Sequence, residues 1–254
     1  MNITLSPQSF YHKQNLPAQK PSFTSNYQLI NNRRPYCTYF FREDLKWKSF
    51  AKYLERRFKG TEKVNVYNAA CSDGTESYTL IMSLIKHLGK EKAEKFFPVK
   101  AFDLNSQLIE IAKSGEIPLL SGIYRMAESL FIKLNMMFKE DKYFKYVTQP
   151  DGKRFAKFDD NIKNLIEFRR SNIFNEIARR NKNEENSVFL CRNMWMYLTD
   201  PEQEKLASML SEFCGKNSVV VLGEYDLSTS KAGELLLKNG FEETYIDKVY
   251  EKMV

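Results

Sequence analysis

The chain has 254 residues, 43% of them hydrophobic, and its 39 Lys+Arg against 32 Asp+Glu give a formal charge of +7. That is enough apolar material for one substantial core, and an α/β domain of this size need not be divided. No run of about 18 apolar residues occurs, and the first residues, MNITLSPQSFYHKQNLPAQK, lack the basic-then-apolar order of a secretory signal, so neither a membrane span nor export is expected.

The expected compartment is the cytoplasm. Cys37, Cys71, Cys191 and Cys214 are far apart and show no C-x-x-C spacing, which argues for reduced thiols and against a metal centre. His12 and His87 are the only histidines, so imidazole acid/base chemistry has little room. The positive balance suits either an anionic partner or a solvated lysine-rich surface.

In chain order, residues 1–34 are polar, contain Pro17 and Pro21, and read as a tail or extended arm. From Glu43 to Phe58, Leu45, Phe50, Leu54 and Phe58 share one helical face, and Gly60 follows as a stop. Val64 and Val66 alternate with Asn65 and Tyr67 at strand period. Small and polar residues then break the pattern, and from Ser77 the apolar residues return at helical spacing. Strand, tight turn and helix follow one another here. Such a turn would point unpaired backbone N–H groups at the helix start toward a ligand, and Ala69, Ala70, Ser72 and Gly74 would leave it room. With one glycine, it is not a dinucleotide fingerprint.

PVKAFDL is the next strand, ending at Asp103, and Asn105 or Ser106 caps the helix after it. Beyond Gly115, Leu130, Phe131, Leu134 and Met137 have helical spacing, and YFKYVT and RFAKF flank the turn signal QPDGK as a hairpin. Lysines and arginines there, including Lys145, Lys153, Arg154 and Lys157, suit either an acidic partner or the protection of a sheet edge. LIEFRRSNI is a further strand. SVFLC closes at Arg192 and Asn193. Asp200 is placed as the cap of the following helix with Pro201 at its first position, and Gly215 ends it. SVVVLG, a helix near Lys231 to Lys238 and a last strand around TYIDKVY complete the chain. Short apolar strands alternating with helices specify a doubly wound, mainly parallel sheet. The reading is one domain over 35–254 with a small inserted antiparallel subdomain at about 118–168.

Ligands of such sheets sit beyond the strand ends near the switch in strand order, so Asn68 to Glu76, Asp103, Asn172, Arg192 and Asn193 are the residues to inspect. Asp103 either accepts hydrogen bonds from two ribose hydroxyls or caps the next helix. Asparagines at two other strand ends suit a nucleoside or an ordinary turn.

Four segments, TYFFRE (Thr38 to Glu43), AACSDGTESYTL (Ala69 to Leu80), AFDLNSQLIEIAKSG (Ala101 to Gly115) and FLCRNMWMYL (Phe189 to Leu198), stand in the order they have in the CheR family, and SNIF (Ser171 to Phe174) is a weaker fifth. Through them the chain resembles the chemotaxis methyltransferases that use S-adenosylmethionine to methylate glutamate carboxylates on bacterial chemoreceptors. The resemblance implies a Rossmann-like class I methyltransferase with S-adenosylhomocysteine as product. It places Ala69, Cys71 and Gly74 around the methionine part of the cofactor, Glu76 at its ammonium, and Asp103 at its ribose. Asn172 and Ile173 border the adenine, Asn193 helps to hold the cofactor, and Thr38 and Arg42 close the site. Arg42 is then the residue to orient a carboxylate and Tyr197 the one beside the methyl group; these two are the catalytic candidates, and no metal is implied.

The implied partner is a protein, a chemoreceptor cytoplasmic region by resemblance, with no nucleic acid. Two departures stand out: Ser77 replaces a frequent proline and Thr75 a second acid. Fewer than about 40 residues precede TYFFRE and they do not look helical, which leaves the family's receptor-docking helical domain unmatched. A noncatalytic module that binds the cofactor, and a methyltransferase for another acceptor, remain the alternatives.

Overall fold

The computed structural model describes residues 38, 40–119, 143–148, 150 and 154–253. The expectations for residues 1–34, Cys37, the spacing from Leu130 to Met137 and Lys153 lie outside these, as does the side chain of Arg154.

The strands are β1 (Asn65–Ala69), β2 (Val99–Asp103), β3 (Glu116–Leu119), β4 (Phe144–Thr148), β5 (Arg154–Phe158), β6 (Ile166–Arg170), β7 (Ser187–Leu190), β8 (Val219–Val221), β9 (Phe241–Glu243) and β10 (Val249–Lys252). Between them run the helices α1 (Trp47–Arg57), α2 (Thr75–Leu88), α3 (Lys90–Ala93), α4 (Ser106–Ser114), α5 (Asp160–Lys163), α6 (Ile173–Ala178), α7 (Asp200–Phe213), α8 (Glu224–Thr229) and α9 (Ala232–Lys238).

Among the described residues the main sheet has the order β6-β2-β1-β7-β8-β10-β9. Pairings from β6 through β8 are parallel, and β10 is antiparallel to both β8 and β9. The chain builds outward from β1 through β2 to β6, then returns to the other side of β1 with β7. The switch point therefore lies between β1 and β7, beyond their carboxyl ends.

Strand alternation divides the core in two. Val66, Val99, Ala101, Val188, Leu190, Val219 and Val221 face the layer of α1 and α2. Tyr67, Phe102, Phe189 and Val220 face α6, α7 and α9. A central parallel strand is covered on both faces, which is why β1 is buried from Val66 to Ala69 although Asn68 is polar. Covered sheet faces of this kind, with helices on each, make the doubly wound mainly parallel architecture.

Phe158 of β5 stacks on Tyr78 of α2, with ring centroids 4.0 Å apart and planes 10° from parallel. The Tyr78 hydroxyl donates to the Ala112 carbonyl at 2.8 Å. This contact fastens the small antiparallel sheet, ordered β3-β5-β4, onto the α2 side of the domain. An aromatic pair of this kind adds about 1 kcal/mol beyond its buried area. The small sheet begins at Glu116, directly after α4, whereas Ile166–Arg170 belong to the large sheet.

One local expectation is narrowed and two change. Asn105, not Ser106, caps α4, its side chain accepting from the Gln107 and Leu108 N–H groups. The cap of α7 is Thr199 rather than Asp200; Glu202 reaches back to the Thr199 N–H at 2.8 Å, which favours the start one residue earlier. The single strand expected around TYIDKVY is the end of a hairpin: Thr244 to Lys248 form its connection, and β9 precedes it. Only Phe241 of β9 is buried, and one buried residue in three gives no readable alternation.

Candidate active site

The turn after β1 bends through left-handed backbone at Ala70 (φ 52°), Ser72 (φ 54°) and Gly74 (φ 85°). Non-glycine residues hold this conformation only against about 1 kcal/mol or more of steric strain, so the surrounding contacts must impose it. The Cys71 N–H donates to the Phe102 carbonyl at 3.1 Å, Ser72 N–H to the Asp103 carboxylate at 2.9 Å, Gly74 N–H to the Cys71 carbonyl at 3.0 Å, and Thr75 N–H to the Asp73 carboxylate at 3.1 Å. These four donors are occupied by the protein. The expected row of unpaired N–H groups is therefore narrowed: these four are not open to a ligand.

Gly74 also has a packing reason of its own. A Cβ there would lie 2.9 Å from Ala112 Cβ and 2.9 Å from Phe168 Cζ. Glycine is demanded by its positive φ and by close packing of the α2 start against α4 and β6. Ala69 and Cys71 are buried in the wall of the turn, at 1% and 3% exposure. Burial pushes the Cys71 thiol well up, with the Asp103, Asp73 and Glu76 carboxylates adding to it, so this sulfur is a protonated spacer and not a nucleophile.

Asp103 closes β2 beside the turn. One carboxylate oxygen accepts from Ser72 N–H and the other from Asn105 N–H at 2.9 Å. It is thus not the cap of α4. The carboxylate retains acceptor capacity beyond its backbone donors, which a ligand hydroxyl can use. Burial raises its pKa, and the backbone donors pull it back. The Asp103 carbonyl accepts from Ser171 N–H at 3.0 Å, which brings Asn172 to the neighbouring strand end. Asn172 caps α6 through its amide oxygen, accepting from Phe174 N–H at 2.8 Å, while Ile173 is buried in the second core.

On the other side of β1, Arg192 leaves β7 with a side chain that is 0% exposed. Its guanidinium is shared by two carboxylates, bonding Glu76 through Nη1 and Asp44 through Nη2, the latter at 2.5 Å, and it lies over the Trp47 ring at 5.2 Å. Glu76 thus joins the site by pairing with arginine. Burial raises the Glu76 pKa, against the pull of Arg192 and Arg42, and Asp44 adds to the rise. Arg42 stands near enough to act on Glu76, and its carbonyl accepts from the Trp47 indole at 3.1 Å. Phe41 N–H donates to Thr79 Oγ1 at 3.2 Å, which lays the chain at Phe41 against α2. Phe40 and Phe41 are buried core residues.

Asn193 has a left-handed backbone (φ 55°), and its N–H donates to Asp226 at 2.5 Å. The same carboxylate accepts from Gly223 N–H at 2.8 Å and Trp195 N–H at 2.9 Å. Asp226 is fully buried, and burial pushes its pKa up to about 6 although these backbone donors favour the charge. The Asn193 side chain lies against Gly223, where any Cβ would come within 2.4 Å of its oxygen. Tyr197 ends the helical turn Trp195–Tyr197 and is half-buried.

The structure thus brings together the turn after β1, Asp103, Glu76, Arg42 and Asn193 at the switch point, with Asn172 beside Asp103. Sequence reasoning missed Asp44 and Asp226 and took Arg192 only as a strand end. An acid three residues after Gly223 is a capping pattern and was a readable signal for Asp226; nothing local marked Asp44.

Acids predominate in this set. Asp44, Asp73, Glu76, Asp103 and Asp226 outnumber Arg42 and Arg192, in a chain whose total charge is positive. Ser72 Oγ and Asn68 Oδ1 are buried polar atoms without a hydrogen-bond partner among the described residues. Burial also raises Cys191, and His87 lies at the far end of α2, so the set holds no ready thiolate or imidazole base.

A family model described as CheR methyltransferase, SAM binding domain, matches residues 37–235. The chain is similar to the chemotaxis protein methyltransferase of Borreliella burgdorferi, with 24% identity over 77% of this chain and 66% of that protein. It is similar also to a probable chemotaxis protein methyltransferase of Rhizobium etli (24%, over 70% and 63%) and to chemotaxis protein methyltransferase 2 of Pseudomonas aeruginosa (26%, over 78% and 63%). The matches span just under two thirds of the length of these relatives. Among the described residues no helix is long and apolar enough to cross a membrane.

Proposed function

The chain belongs to the CheR methyltransferase family, and from that premise we propose that it transfers a methyl group from S-adenosylmethionine to a glutamate carboxylate of a protein, a chemoreceptor cytoplasmic region being the acceptor named by the resemblance. The observation that carries the reading is the meeting, at the switch point between β1 and β7, of the Ala69–Gly74 turn, Asp103 and the Glu76–Arg192 pair.

The residues fit the cofactor. Asp103 has acceptor capacity for the ribose hydroxyls, Glu76 and its acidic neighbours suit the ammonium and sulfonium charges, and the orphaned Ser72 and Asn68 oxygens supply polar contacts. Thr38, Ala69, Cys71, Asn172 and Asn193 would complete its surroundings. Gly74 and Ile173 would act from behind, as packing. Bound there, the cofactor supplies a methyl on positively charged sulfur, already activated toward a nucleophile.

The remaining work belongs to the chain's own side chains. A glutamate is ionised near pH 7 and needs no general base, only alignment and exclusion of water. Arg42 would hold the incoming carboxylate through its planar fork. Tyr197 would line the methyl path. A hydroxyl or amine acceptor would require a base that the described site does not place.

The test is transfer of radiolabelled methyl to protein in a cell extract. Label released as methanol by mild base marks a carboxyl ester and supports the reading; base-stable label, or cofactor binding without transfer to any protein, sinks it.

A further inference from the structure

The segment that carries Arg42 is tied down at three places. Phe41 N–H is held by Thr79 of α2, the Arg42 carbonyl by the Trp47 indole, and Asp44 reaches across to the opposite side of the switch point. There one Asp44 oxygen takes Arg192 Nη2 at 2.5 Å, and the other accepts the Glu224 N–H at 3.2 Å. Asp44 is therefore the one residue of this segment seen to contact both the loop after β7 and the first residue of α8, which follows β8. Its side chain is 12% exposed, and the arginine it holds is 0% exposed, so water competes weakly for these bonds.

We propose that Asp44 is a positioning residue, a clasp that holds the Arg42 segment against the loops after β7 and β8 and so retains the bound cofactor and sets Arg42 toward the acceptor. This rests on the methyltransferase reading above. The electrostatics suit a clasp better than a substrate contact. Both Asp44 oxygens are engaged within the protein, and Arg192 has a second carboxylate partner in Glu76. Glu224 in turn is fixed from below, its carboxylate paired with the buried Lys248 at 3.0 Å.

The experiment follows dissociation of S-adenosylhomocysteine from the purified full chain by stopped-flow competition. Asp44→Asn should release it about tenfold faster, the scale of one charge-assisted hydrogen bond, and trypsin should cut after Arg42 faster. Asp44→Glu should restore part of the loss. A backbone variant isolates the second arm of the clasp. Proline is tolerated at the first position of a helix and Gly223 before it is already extended (φ −99°, ψ 167°), so Glu224→Pro removes the N–H without unwinding α8. Its release rate should exceed that of Glu224→Ala, which loses the same side chain but keeps the donor. Asp44→Asn release within about twofold of the parent, or equal rates for Glu224→Pro and Glu224→Ala, overturns the clasp. Failure of the parent chain to bind S-adenosylhomocysteine at all would overturn the methyltransferase reading instead.

Discussion

The turns after β1 and β7 flank the same switch point, and both hold left-handed non-glycine backbone, at Ala70 and Ser72 in the first and at Asn193 in the second. They reach that state by different means. The β1 turn is closed by bonds within a few residues, Gly74 to Cys71 and Thr75 to Asp73, and by the adjacent end of β2. The β7 turn is held from afar: Arg192 reaches Glu76 across 116 positions and Asp44 across 148, and Asp226 gathers Asn193 and Trp195 from more than 30 positions away. The β1 turn, closed by backbone donors on itself and on the end of β2, rests on no buried ion pair and so depends less on distant charge. A turn closed by buried charges depends on each partner.

The contrast is most easily broken at Arg192. Arg192→Met leaves Glu76 and Asp44 as buried acids without their main counter-charge, and should destabilise the protein by about 3–5 kcal/mol in urea unfolding. A loss below about 1 kcal/mol would mean that solvent or Arg42 already neutralises the acids.

Asp226 gives the next effect, read through pH. Its folded pKa is raised from the ordinary 3.8 to about 6, so the native state holds this proton more tightly than the unfolded chain. The stabilising contribution is therefore complete below pH 3.8 and is lost as pH rises through about 6. At the full shift this amounts to roughly 3 kcal/mol. The stability of the parent relative to Asp226→Asn should fall by about 2 kcal/mol between pH 4 and pH 6; parallel stability curves would show that the carboxylate is not titrating there.

The β1 turn should respond less. Gly74→Ala places a methyl 2.9 Å from Ala112 Cβ and Phe168 Cζ at a φ of 85°. The overpacking should cost about 1–3 kcal/mol, with Asp226 and its loop unaffected. Because Phe168 can swing only as far as the neighbouring Tyr78 ring allows, at 5.7 Å, a smaller alanine penalty would show slack in that corner.

The residues legible in the chain were those whose behaviour depends on near neighbours. Alternation at Val64 to Tyr67 gave β1, helical spacing gave α1 and α2, Asn105 gave a cap, and the run of small residues gave the turn. Asp103 was placed at a strand end on the same grounds, and the matching segments carried the family. Steric limits on φ and ψ and the side-chain periods of helix and strand operate over a few residues, so a linear chain displays them. What the tertiary structure decided was partnership. Which of the turn's N–H groups stay open, why position 74 must be glycine, and which acids hold Arg192 depend on groups that only the sheet order brings together. A buried charge is fixed by whatever opposite charge the fold delivers within a few ångströms, and that choice leaves no trace in the spacing of its neighbours.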